Sequence, residues 1–116
     1  MKFKSVEPNY TGGNIYVFTG KVDDNYFMAD TANYDVRLLN ADPSDNTDEE
    51  RFGFPEWECD VWQEEHLVRD LEPTEAKEFF IKMLSWVKKH QPDGNYLVSD
   101  MDYYLAEVRS LEGDWR

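Results

Sequence analysis

The sequence predicts a single α+β domain over residues 1–116, in which an antiparallel β-meander of three to four strands precedes two C-terminal amphipathic helices packed on the sheet. Three observations support this prediction. Residues 1–41 contain short runs of β-branched and aromatic residues separated by turn formers. Residues 73–116 contain two segments with apolar side chains at helical spacing. A chain of 116 residues is also long enough to form one substantial hydrophobic core.

Three strands are predicted from side-chain patterns and from the turns between them. Residues 15–19 are β-branched or aromatic and apolar on both faces, which is typical of a strand covered on both sides. The turn formers at 23–25 lead into a return strand at 26–29, and those at 30–33 lead into a third strand. In this third strand, 34–38, apolar and charged residues alternate, so one face is expected to be buried.

An additional edge strand is predicted over residues 3–6. The sheet also has apolar side chains that need a cover, namely Tyr16, Phe18, Tyr26 and Met28. Two covers are open at this point: the segment 55–71, or a second copy of the chain, which would form a homodimer through an apolar sheet face. The segment itself fits both strand and helix spacing. We expect irregular structure over 57–62 and an extended piece over 66–68.

Two amphipathic helices are predicted in the C-terminal part. The first has Thr74 as its N-cap, cations in its last turn, and a stop at 92–94. Its apolar stripe consists of Ala76, Phe79, Phe80, Met83, Leu84 and Val87. The second helix is predicted to begin at Ser99, with Asp102 as the capping-box partner. Its apolar face consists of Met101, Tyr104, Leu105, Val108 and Leu111.

The chain is strongly acidic, with 25 acidic and 12 basic residues and a net charge of −13. This sign disfavours direct binding to nucleic acid or to an anionic membrane, because phosphate contacts require Lys and Arg. The single cysteine, Cys59, excludes an intramolecular disulfide. Together with the lack of a signal-peptide pattern and of a long apolar run, it predicts a cytoplasmic protein.

Most of this charge lies in one loop-rich segment, residues 42–72, which holds twelve acidic and two basic residues for a net of −10. The same segment contains two tryptophans and two phenylalanines. Aromatic residues among carboxylates are typical of a surface that docks on a basic protein, because the charges guide the encounter and the rings anchor it. The predicted partner-binding residues are Asp45, Asp48, Glu49, Glu50, Trp57, Trp62, Glu64 and Glu65.

The predicted function is that of a small accessory protein, of a bacterial or phage type, that binds a basic protein partner. A nucleic-acid-binding protein is one candidate, inhibited by carboxylates that mimic phosphates. Small acidic inhibitors of restriction or CRISPR systems are similar in composition. Three alternatives stay open: a solvated acidic loop, a plain oligomerisation or scaffold domain, and a metal-dependent enzyme that uses clustered carboxylates. The carboxylates considered for that enzyme are Asp42, Asp45, Glu64 and Glu65.

No catalytic residue, metal site or cofactor is predicted. His66 follows two glutamates and could act as a general base, but a structural or surface role is the stronger expectation. The acidic neighbours of Cys59 would keep its thiol protonated and unreactive. Residues 42–53 begin like a calcium-binding loop, yet Thr47 and Gly53 stand where that loop requires Gly and Glu.

Overall fold

The computed structural model describes residues 1–12, 15–43, 56–90, 96–113 and 115. These residues form a five-stranded antiparallel sheet in sequence order, with helical segments on both faces. The strands are β1 (Phe3–Gly12), β2 (Ile15–Val22), β3 (Asn25–Asp30), β4 (Asp35–Leu39) and β5 (Leu67–Asp70). The helices are a 3-10 turn (Glu56–Glu58), α1 (Asp60–His66), α2 (Pro73–His90) and α3 (Tyr96–Arg109). The predicted α+β class and its two C-terminal helices are confirmed, with one strand more than expected.

The front face of the sheet is the side that packs against α2 and α3. Its contacts include aromatic pairs: the rings of Phe27 and Phe79 meet edge to face at 5.0 Å, as do those of Tyr34 and Phe80. The predicted stripe of α2 is buried at every position, at Ala76, Phe79, Phe80, Met83, Leu84 and Val87. In α3 the predicted face is also buried at Met101, Tyr104, Leu105 and Val108, whereas Leu111 follows the end of the helix at Arg109 and packs against the same core from there.

Helix α2 begins one residue before the predicted N-cap. Its first residue is Pro73, so Thr74 already lies inside the helix. Proline suits this first position because its φ is fixed near the helical value and its missing N–H would have no helical partner. The carboxylate of Glu75 then accepts a hydrogen bond from the backbone N–H of Glu72 at 3.4 Å, as in one half of a capping box.

Helix α3 begins at Tyr96, three residues before the predicted start, so Ser99 is not its N-cap. The predicted capping-box partner, Asp102, instead forms an ion pair with Lys88 of α2. This pair joins the exposed sides of the two neighbouring helices. The predicted stop of the first helix at 92–94 lies outside the described residues.

Two tyrosine hydroxyls of the sheet region hold α3 in place. Tyr16 donates a hydrogen bond to the Asp100 carboxylate, and Tyr34 donates one to the Glu107 carboxylate, both at 2.7 Å. Tyr34 has a φ of 54° in the turn before β4, a conformation that non-glycine residues seldom adopt. Its side chain is only 4% exposed. Packing and this hydrogen bond therefore stabilise a backbone conformation that is unfavourable for tyrosine.

Strand β1 is longer than the predicted edge strand at 3–6 and pairs along the length of β2. The two strands approach closely at Gly20, where a Cβ atom would lie 2.0 Å from the carbonyl oxygen of Ser5. Only glycine fits that position without moving the backbone of β1. A register shift between Phe3 and Ser5 accompanies the close approach.

The irregular structure predicted over 57–62 is wrong, because this stretch contains the 3-10 turn and the start of α1. The prediction relied on apolar side chains, and in α1 these are poor guides to burial. Val61 is 76% exposed, whereas the polar Gln63 is only 9% exposed. The extended piece expected next to α1 is confirmed as β5, although His66 belongs to the helix.

Candidate functional site

The back face of the sheet, opposite α2 and α3, is covered by the chain's own 3-10 turn and α1. Trp57, which is 8% exposed, packs there with Val17, Met28 and Leu39, and we call these four residues the back cluster. Tyr26, Trp62 and Leu67 pack around it. The sequence allowed either the 55–71 segment or a second copy of the chain to cover the sheet. Tyr26 and Met28 are covered by the 55–71 segment. Tyr16 and Phe18 belong instead to the core on the front face.

Two hydrogen bonds and one ion pair, linked in series, attach α1 to the sheet. The side-chain amide of Gln63 donates to the backbone oxygen of Trp57 at 2.8 Å, and its oxygen accepts a hydrogen bond from Arg37 at 2.9 Å. The Nε atom of Arg37 lies 3.2 Å from the Asp70 carboxylate on the neighbouring strand β5. The buried amide is thus satisfied on both sides, and the guanidinium group is shared between α1 and the sheet.

A second attachment lies at the C-terminal end of α1. The Nδ1 atom of His66 lies 3.2 Å from the side-chain oxygen of Asn40, and the imidazole ring packs 4.7 Å from the ring of Trp62. The backbone N–H of Asn40 also donates to the His66 carbonyl. The partner of this histidine is an amide rather than a carboxylate, so its geometry supports the structural role predicted for it.

The outer face of α1 is acidic. It consists of Asp60, Val61, Glu64 and Glu65, all exposed, at positions i, i+1, i+4 and i+5 of the helix. Ion pairs in the described ranges involve other carboxylates, namely Asp70, Glu75, Glu78 and Asp102. The three carboxylates of the outer face have no cationic partner among those residues.

A cleft of about 420 Å³ lies between this helical segment and the back face of the sheet. Its lining combines an apolar floor from the back cluster with four carboxylates, those of Asp30, Asp35, Glu58 and Asp60. Asp30 and Asp35 are directly paired across β3 and β4. Burial raises the pKa of Asp30, and the charge of Asp35 raises it further, while a hydrogen bond from the Ala32 N–H lowers it. The cleft is therefore electrostatically suited to a cation.

The predicted partner-binding residues have different environments. Trp57 is core, Trp62 is half-buried, and Glu64 and Glu65 lie side by side on the outer face of α1. Four further predicted residues, Asp45, Asp48, Glu49 and Glu50, lie outside the described residues.

Sequence reasoning missed Asp60 and Val61 on the outer face, and it missed the cleft. If residues 60–66 had been tested for helical spacing of exposed as well as buried positions, Asp60 and Val61 would have been placed beside Glu64 and Glu65. The cleft depends on which strand faces which helical turn. The one sequence signal for the cleft is the position of two of its carboxylates. Asp30 ends β3 and Asp35 begins β4, so a tight connection between these strands brings them together.

Further observations on the described part of the chain concern metal ligands, the cysteine and membrane spans. No group of three His, Cys, Asp or Glu side chains there could hold a metal ion, so Glu64 and Glu65 do not join Asp42 in such a group. Asp45, the fourth carboxylate considered for a metal-dependent enzyme, lies outside that part. Cys59 is half-buried at the start of α1 and makes no side-chain cap. Among the same residues, no helix has the length and apolar character needed to cross a membrane.

Comparisons with protein families, with curated proteins and with solved structures found no match to this chain. Two features of this site bear on function: the outer face of α1 and the cleft beside it.

Proposed function

We propose that the protein acts by binding a basic protein partner, with the outer face of α1 as part of the contact surface. One observation carries the proposal. Asp60, Glu64 and Glu65 surround the exposed side chain of Val61, and none of them has a counter-charge among the described residues. Such a surface attracts a basic protein through its charges and offers it an apolar contact.

The electrostatics of α1 favour this proposal over a solvated acidic loop. Asp60 and Glu64 are four residues apart on one side of the helix, where like charges repel. Glu64 and Glu65 also lie in its last turn, where the helix dipole disfavours anions. A surface that only needs to be soluble has no reason to order these charges on a helix held by buried contacts. A basic partner would relieve both unfavourable interactions.

The apolar part of the proposed contact differs from the sequence-based expectation. Trp57 supports α1 from below as part of the back cluster, so its ring is not an exposed anchor. Val61, 76% exposed among the carboxylates, and the half-buried Trp62 supply apolar surface instead. An apolar centre within a charged rim is the usual arrangement of a protein–protein interface.

The negative charge of the proposed surface indicates which class of protein it could bind. A protein that binds nucleic acid presents a basic surface to phosphates, and ordered carboxylates could occupy the same positions. Such a partner would be inhibited by competition. Asp45, Asp48, Glu49 and Glu50 precede α1 in the sequence and stay candidates for the same contact because of their charge.

A capture experiment with matched variants tests the proposal. Wild-type protein, E64Q/E65Q and D24N/E112Q are immobilised, exposed to a cell lysate, and washed at increasing salt. Both double variants remove two exposed carboxylates that form no ion pair within the described residues, so they differ only in the place of the change. We expect wild type and D24N/E112Q to retain the same protein at low salt and release it as salt rises. E64Q/E65Q should retain less. Equal retention by all three proteins, or retention unaffected by salt, would contradict the proposal.

A further inference from the structure

The cleft beside α1 combines surfaces of two kinds. Val17 and Met28 of the sheet form its floor, and Trp57 contributes to its wall. The carboxylates of Glu58 and Asp60 come from the helical segment, and that of Asp30 comes from the end of β3. Its volume of about 420 Å³ is within the range of clefts that hold small ligands. An apolar floor with carboxylates at the rim fits a cation carried on an aliphatic stem.

Arg37, the one cation among the described residues that line the cleft, is already neutralised. Arg37 contacts Asp70 at 3.2 Å and the Gln63 oxygen at 2.9 Å, so its guanidinium group holds α1 on the sheet. Asp30, Glu58 and Asp60 make no ion pair with any described residue. The charge carried by the described lining is therefore negative, even with Arg37 included.

Asp30 has the strongest electrostatic reason to attract a cation. Its carboxylate is partly buried and lies opposite Asp35 across the strand pair, where like charges repel. Burial is the main cause of the raised pKa of Asp30; the Ala32 hydrogen bond lowers this pKa, and the charge of Asp35 raises it by a smaller amount. Its one described hydrogen bond, from the Ala32 N–H at 2.6 Å, satisfies only part of the carboxylate. A cation in the cleft would supply the missing opposite charge.

We propose that this cleft takes the guanidinium side chain of an arginine from the basic partner, an inference that rests on the proposed function. Arginine fits better than lysine because its planar group can bind more than one carboxylate at once, whereas the ammonium group of lysine is a point charge. Its methylene stem would lie along Val17 and Met28. Glu58 and Asp60 are adjacent to the outer face of α1, so one partner surface reaches both features.

The test uses small probes in place of the partner. N-acetyl-arginine amide is titrated into the wild-type protein while the NMR signals of the Trp57 indole N–H and the Met28 methyl group are followed. The controls are the neutral citrulline analogue, which has nearly the same shape, and the lysine analogue. The cleft variant is D30N, whose side-chain oxygen can still accept the Ala32 hydrogen bond, and E64Q/E65Q is the variant outside the cleft. Melting temperatures confirm that both variants fold.

We expect saturable shifts at both signals with the arginine probe, with an affinity in the range of about 1 mM for a single side chain. D30N should weaken binding about fivefold or more, because a charged hydrogen-bond acceptor is lost. E64Q/E65Q should change it by less than about twofold, since exposed charges away from the cleft are screened. Equal binding of the citrulline or lysine analogue, or an unchanged affinity in D30N, would overturn the inference.

The two proposals can fail separately. If wild-type protein captures a salt-sensitive partner but the arginine probe does not bind, the cleft assignment is wrong and the proposed function stands. If the probe binds as expected but no partner depends on Glu64 and Glu65, the proposed function is wrong. The cleft would then be a site for a free guanidinium compound.

Discussion

Replacing Trp57 by alanine tests whether the chain itself covers the back face of the sheet. The ring is 8% exposed and packs with Val17, Met28 and Leu39. A buried aromatic side chain removes about 150–250 Å² from water, which at about 25 cal/mol per Å² corresponds to roughly 4–6 kcal/mol. Measured Trp→Ala substitutions in cores cost about 3–5 kcal/mol. We expect a loss within that second range, because α1 can partly collapse onto the vacated space.

Urea denaturation followed by far-UV circular dichroism measures this loss, and thermal melting gives a second readout. For a domain of this size a loss of 3–5 kcal/mol lowers the melting temperature by on the order of 10–20 °C. The matched control is Val61→Ala in the same segment. Because Val61 is 76% exposed, its truncation should change the free energy of unfolding by less than about 0.5 kcal/mol.

The comparison of these two variants can refute the reasoning. If Trp57→Ala melts within a few degrees of the wild type, the ring does not pack on the sheet and the floor of the cleft is not as described. If Val61→Ala is as destabilising as Trp57→Ala, the inner and outer sides of α1 have been assigned the wrong way round.

Strand β1, the alkaline limit of stability and the response to metal ions can each be tested separately. Gly20→Ala should cost about 1–3 kcal/mol, since its Cβ would lie 2.0 Å from the Ser5 oxygen; an unchanged urea midpoint would show that β1 does not approach so closely. Burial and the hydrogen bond to Glu107 raise the pKa of Tyr34 above its ordinary 10.0. The folded state therefore keeps a proton that the unfolded state releases, so stability is complete below pH 10 and falls above it. Tyr34→Phe should flatten this alkaline decline, although the raised pKa values of Tyr103 and Tyr104 leave part of it; an equally steep decline would contradict the assignment. Calcium, magnesium or zinc should raise the melting temperature little, and a saturable shift of many degrees would favour the metal-dependent enzyme instead.

The parts of the fold that the sequence predicted well are those where burial follows a simple period. The α2 stripe from Ala76 to Val87 is apolar at every buried position, so its helical period identifies both the helix and its inner face. Strand β2 is apolar on both sides because the back cluster contacts Val17 while the front core contacts Phe18. For helix α2 and for strand β2, one periodic pattern of apolar residues predicts both the type of secondary structure and which side chains are buried.

Helix α1 was missed because its burial does not follow hydrophobicity. Gln63 is buried through hydrogen bonds to Arg37 and Trp57, whereas Val61 is exposed. Side-chain amides can be buried once their hydrogen bonds are satisfied, and that depends on partners distant in sequence. Arg37 is 26 residues away from Gln63 along the chain. No local pattern contains this information.

The candidate site was likewise predictable only in part. Glu64 and Glu65 were predicted from charge density alone, and both are exposed on one helix face. The cleft could not be predicted because its carboxylates come from two strands and from the segment on the back face. Asp30 and Asp35 become neighbours only through the register of β3 and β4.

The most direct test of the central claim is the rate at which a captured basic partner associates with E64Q/E65Q and with D24N/E112Q, measured over about 0.05–0.5 M salt. Surface charges at an interface act mainly on association, so E64Q/E65Q should associate more slowly than the wild type at low salt and should show a weaker salt dependence. D24N/E112Q, with the same change in net charge, should associate at the wild-type rate. If the two double variants slow association equally, only the net charge of the protein matters, and the outer face of α1 is not the binding surface.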